Sequence, residues 1–124
     1  MSNTSFHRSE VNEMIEGLSR LAHNMWWTWN QEAQELFAEL SPRTWQNLYH
    51  NAVAILREVS DYELRIRLQD PEFAKRVKTV LKLFDSYMNE ENTWANQNAA
   101  QLNENPVAYF TAEFGLHESL PIAA

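Results

Sequence analysis

The chain has 124 residues, 44% of them hydrophobic and 22% charged, which suits one globular domain with a modest core and excludes a disordered chain. Its formal net charge of -7 and its lack of cysteine argue against a nucleic-acid partner and against an anionic membrane surface, and they exclude a disulfide framework or a cysteine-based metal site. The opening residues MSNTSFHRSEVNEM lack an apolar signal core, and no apolar run approaches the length of a membrane span, so a cytoplasmic protein is expected.

Residues 1–8 are expected to form a polar tail. Ser9 suits an N-cap with Glu10 and Glu13 in the first helical turn. From there Val11, Met14, Ile15, Leu18, Leu21, Ala22 and Met25 recur at helical spacing, with Gly17 off that stripe. Ala33, Leu36, Phe37 and Leu40 set the face of a second helix. Ser41 and Pro42 start another. Asn51 caps the short helix of NAVAILREV, and Ser60 precedes one that carries Leu64 and Leu68.

The longest predicted helix starts at Asp70 and Pro71. Its stripe is Phe73, Val77, Val80, Leu81, Phe84 and Met88, and Lys75, Arg76, Lys78 and Lys82 form a solvated opposite face. A polar helix or turn follows, with Trp94 and Leu102 as its expected anchors. Pro106 ends it. Residues 107–112, VAYFTA, are apolar on both faces, the pattern of a strand buried in a parallel sheet.

The chemistry-bearing residues are few. Trp26, Trp27 and Trp29 cluster in NMWWTWNQEA; such rings either stack on sugars or fill the space where helices converge, and helical aromatic stripes favour the second. His7, His23, His50 and His117 include no i, i+4 pair, so no metal site is expected. The two glycines, Gly17 and Gly115, do not make a phosphate-binding loop. Glu113, His117, Glu118 and Ser119 cluster just beyond the predicted strand. Ligands of open α/β sheets bind at that end of a strand, but a capped turn leading into a further helix fits these residues equally.

The segments LAHNMWWTWNQEAQELFAEL, HNAVAILREVS and PVAYFTAEFGLHESLPI resemble, in this order and spacing, the N-terminal end of bacterial α-glucan phosphorylases of the glycogen/starch phosphorylase family. The resemblance runs from about Glu10 to Ile122. It implies a mainly α-helical N-terminal domain, residues 9–104, followed in residues 105–124 by the first strand and loop of a Rossmann-like (GT-B) glycosyltransferase lobe. It implies phosphorolysis of α-1,4-glucan to glucose 1-phosphate, with α-glucan and phosphate as partners and with pyridoxal phosphate on a lysine of the C-terminal lobe. Glu113, His117 and Glu118 match the strand-end motif near the family's sugar site. In the family SLPI runs on into a Gly-rich loop, whereas here Ala123 and Ala124 follow. The chain therefore reads as a truncated N-terminal piece, expected to be inactive alone. The alternatives are a stand-alone helical interaction module, self-associating through the edge of its C-terminal strand, and a carbohydrate-binding module using Trp26, Trp27 and Trp29.

Overall fold

The computed structural model describes residues 6–120. Helix α1 (Arg8–Ala22) begins one residue before the expected cap. The Glu10 carboxylate reaches back to accept the His7 backbone N–H at 3.2 Å, which satisfies a donor that the first turn leaves over. Phe6 is pinned as well. Its N–H donates to Gln69 Oε1 at 3.1 Å and its carbonyl accepts from Gln69 Nε2 at 3.4 Å. The Lys78 ammonium sits 4.3 Å from the centre of its ring. Residues 6–8 of the expected tail therefore belong to the folded domain, and residues 1–5 lie outside the described residues.

A 3-10 turn (Met25–Trp29) follows, its first exposed donor satisfied by Asn24, whose side chain accepts the Trp26 N–H at 2.9 Å. Then come α2 (Gln31–Leu40), α3 (Pro42–Asn47), α4 (Ala52–Glu58), α5 (Asp61–Gln69), α6 (Pro71–Met88), α7 (Trp94–Asn98) and a second 3-10 turn (Ala100–Asn103). The starts of α4, α5 and α6 are where capping chemistry puts them. Asn51 accepts from the Ala54 N–H at 3.0 Å, Ser60 from Glu63 at 3.1 Å and Asp70 from Glu72 at 3.1 Å. Each cap satisfies an N–H that the first turn leaves without an intrahelical partner.

Helix α6 is the axle, with α1, α2 and α5 packed around it. Leu18, Leu21, Leu36, Phe37, Ile55, Leu68, Val77 and Val80 are sealed from solvent, and no described polar side chain is buried with them. Gly17 is buried too and has a structural use that its sequence position hid. A Cβ there would lie 2.5 Å from Leu81 Cδ1, so the close approach of α1 to α6 is made over a bare backbone. Arg20 and Asp85 bridge the same pair of helices at 2.9 Å. Across α2 and α6, Arg76 bonds Glu39 at 2.7 Å, and that guanidinium holds the Glu39 carboxyl below its ordinary value.

Two expectations need correction. The described residues contain no strand: residues 107–111 are irregular and exposed, with Val107 at 81% and Phe110 at 91%. A strand exists by pairing its N–H and C=O groups with a neighbour, and no described element offers that edge. Residues 121–124 of the expected lobe segment lie outside the described residues. Trp94 and Leu102 do not anchor the segment before it, because α7 and the second 3-10 turn bury no residue. No described helix is long and apolar enough to cross a membrane.

Candidate functional site

The end of α3 is strained. Tyr49 and His50 both have positive φ, 52° and 56°, a conformation that costs a non-glycine residue about 1–2 kcal/mol. Two consecutive residues hold it because the surroundings reward the turn. The His50 N–H donates to the Trp45 carbonyl at 2.9 Å. The His50 imidazole lies 5.1 Å from the Trp45 indole. Its Nδ1 then bonds the carboxylate of Glu118, 68 residues further along the chain.

Trp27 is the centre of the aromatic group. It is buried, and its indole N–H donates to the Ala22 carbonyl at 3.2 Å. It meets Phe37 edge-on at 5.9 Å and Trp45 at 6.0 Å. The ring of His117 packs against it at 4.7 Å and 70°, an edge-to-face geometry that suits the quadrupole of the indole. His117 Nδ1 lies 2.8 Å from the Ser119 hydroxyl and accepts the Ser119 backbone N–H at 3.2 Å. The Leu120 N–H donates to the His117 carbonyl at 3.0 Å and closes the turn.

Of the residues singled out in the sequence, His117 and Glu118 are thus brought together on the Trp27–Trp45 pair. Glu113 is exposed and takes no part in these contacts; its backbone N–H donates to Thr111 Oγ1 at 3.2 Å. The tryptophans divide. Trp27 is internal, Trp26 is half-buried with its ring 5.5 Å from Phe84 and 6.4 Å from Tyr87, and Trp29 is 71% exposed. The His50 ring reaches a carboxylate 68 residues further along the chain, and no local pattern marks a partner that far away. His23 makes a local contact, its Nδ1 lying 2.8 Å from the Ser19 carbonyl. No group of three or more described His, Asp or Glu side chains could hold a metal ion.

Fold and site together define an all-helical domain whose C-terminal loop is clasped to an aromatic cluster. A family described as a protein of unknown function (DUF3417) matches residues 11–120, and the chain belongs to it. The chain is 36% identical over 115 residues to a maltodextrin phosphorylase of Thermococcus litoralis, an alignment covering 93% of this chain and 14% of that relative. It is 34% identical to a glycogen phosphorylase of Aquifex aeolicus, covering 93% of this chain and 16% of the relative. It is 30% identical to a glycogen phosphorylase of Mycobacterium tuberculosis, covering 92% and 14%. The chain therefore aligns with the N-terminal portion of these phosphorylases and spans 14–16% of their length. No solved structure matches it.

Proposed function

We propose that this chain serves as the N-terminal helical portion of an α-glucan phosphorylase, an enzyme that cleaves α-1,4-glucan with phosphate and releases glucose 1-phosphate. Residues 9–104 form a brace. Residues 105–124 run from it as the opening strand and loop of the α/β lobe, and Glu113, His117 and Glu118 lie at the lip of the sugar cleft. The chain alone does not turn over, because catalysis draws on groups preorganised on both sides of one water-poor site.

The observation that carries this reading is the exposure of an apolar stretch beside a docked loop. Val107, Tyr109 and Phe110 stand 79–91% in solvent, while His117 and Glu118 are held on the helical core. A chain invests in such side chains where another surface covers them. A second copy would serve the same purpose for the chain by itself, and sedimentation equilibrium would read that as the mass of two chains.

Pyridoxal phosphate does not fit the described residues. Lys75, Lys78 and Lys82 are the only lysines and all are exposed along α6, so the cofactor belongs to the part of the enzyme that the resemblance assigns to its C-terminal lobe. A cytoplasmic setting goes with this reading.

A chimera tests it. The matching segment of the Thermococcus litoralis enzyme is replaced by this chain, and glucose 1-phosphate release is measured from maltodextrin and phosphate. Activity well above that of the enzyme lacking the segment is expected. A folded but inactive chimera, or turnover by this chain alone, refutes the proposal.

A further inference from the structure

Trp29 is the one ring of the NMWWTWNQEA cluster that the core does not use. It is 71% exposed, yet its backbone is held from both sides. Thr28 Oγ1 donates to the Met25 carbonyl at 2.7 Å, and Gln34 Nε2 donates to the Thr28 carbonyl at 2.8 Å. The next residue is tied back as well, the Asn30 N–H donating to the Trp27 carbonyl at 3.2 Å. Trp29 thus presents a large flat apolar surface on a braced turn, facing water.

The ring stands at one end of a groove. Trp29, Gln31, Glu32, Glu35 and Leu83 line a surface cavity of about 510 Å³. A second cavity of about 380 Å³ adjoins it at Glu32 and Glu35 and continues between α2 and α6 past Thr79 to Glu72. From Leu83 back to Glu72 is about 16 Å along α6 at the helical rise per residue, room for several linked sugar rings. Gln31 Nε2 donates to Glu35 at 3.0 Å and steadies that carboxylate. Two cations line the far part of the groove: Arg76 is engaged by Glu39 at 2.7 Å, and Lys75 stands among Glu32, Glu35 and Glu72, so carboxylates outnumber the free positive charge. An aromatic face with carboxylate acceptors, an amide and a hydroxyl suits a neutral polyhydroxyl ligand and repels phosphate or nucleic acid.

We propose that this groove is an accessory α-glucan-binding site, with Trp29 stacking on the apolar face of one glucose unit and Glu32 and Glu35 accepting hydroxyl hydrogen bonds. The choice of an α-linked glucan rests on the proposed function; the groove itself is separate from the Glu113–Glu118 loop and uses none of its residues.

The test is titration of the full chain with maltoheptaose, followed by the indole N–H signals of its five tryptophans in proton–nitrogen NMR spectra. At millimolar sugar the Trp29 signal and amides of α2 and α6 are expected to shift. Trp29→Ala weakens binding about tenfold, as loss of one stacking platform does. Trp94→Ala, which removes an equally exposed ring outside the groove, leaves binding unchanged. Circular dichroism of Trp29→Ala checks that the fold persists; with so exposed a side chain it does.

A silent Trp29 signal, wild-type affinity in Trp29→Ala, or shifts centred on Trp94 overturns the site. Equal binding of cellohexaose overturns the α-glucan assignment. The two readings fail separately: an active chimera with a silent Trp29 rejects only this groove, and sugar binding at Trp29 beside a folded, inactive chimera rejects only the phosphorylase reading.

Discussion

Replacing Trp27 by alanine isolates what the aromatic cluster contributes to the fold. Trp27 is 3% exposed, and it touches Phe37, Trp45 and His117. Burying a side chain of its size removes about 150–250 Å² from water, worth about 4–6 kcal/mol as an upper bound. The change also leaves the Ala22 carbonyl without the indole N–H that lies 3.2 Å from it. The surrounding helices relax only partly into the space, so a loss of about 3–5 kcal/mol is expected. Urea unfolding followed by far-UV circular dichroism measures this without relying on the deleted fluorophore. With a slope of about 1.5 kcal/mol/M, the midpoint falls by about 2–3 M. Trp29→Ala, from two residues away, is the control and stays within about 0.5 kcal/mol of wild type. If Trp27→Ala moves the midpoint no further than that control does, the cluster is not the packed centre described above.

Two smaller tests reach other parts of the molecule. Tyr49→Gly relieves a left-handed residue that is 70% exposed and packs little; after the entropy of glycine is subtracted, stability rises by about 0.5–1 kcal/mol in urea unfolding, and a fall refutes the account of strain. Glu39→Gln removes an acid whose carboxyl is held below its ordinary value of 4.5, first by the hydrogen bond from Arg76 and further by the charge of that guanidinium. A depressed carboxyl stabilises the folded state above its unfolded value and loses that contribution as the pH falls through its folded value. Both side chains are about 40% exposed, so the gap between wild type and variant is about 1 kcal/mol or less near neutrality and closes at strongly acid pH; a gap of equal size at both ends refutes the assignment.

The sequence makes local features legible and leaves distant ones dark. Asn51, Ser60 and Asp70 are readable as caps because the bond each makes lies within three residues of it. The stripe of α6 is readable because its period of 3.6 leaves Phe73, Val77, Val80 and Phe84 on one side, all buried. The pairing of Phe6 with Gln69 and of His50 with Glu118 spans 63 and 68 residues, a separation at which pattern carries no information. The five tryptophans look alike in the sequence, yet Trp27 and Trp45 are internal and Trp29 and Trp94 are not, because burial belongs to the arrangement of helices. Gly17 reads as a propensity defect until Leu81 is found against it.

The apolar run at 107–112 is the instructive case: its pattern is that of a strand buried on both faces, and the structure shows neither strand nor burial there. Burial and pairing are supplied by a neighbour, and the helical domain has completed its own core without this run. Val107, Tyr109 and Phe110 remain in water. Each would contribute about 1.5–3 kcal/mol if covered, so the three together are worth about 5–9 kcal/mol, as much as the whole stability of a typical domain. The helical core has no share in that energy. On the proposed reading it becomes available when a second surface covers the run, whose far end is held by Glu118 on His50 and by His117 on Trp27. On the same reading, the helical core is complete without this segment, which is left for a neighbouring surface to cover. A partner that covers it gains affinity from side chains that contribute nothing to the stability of the domain on its own.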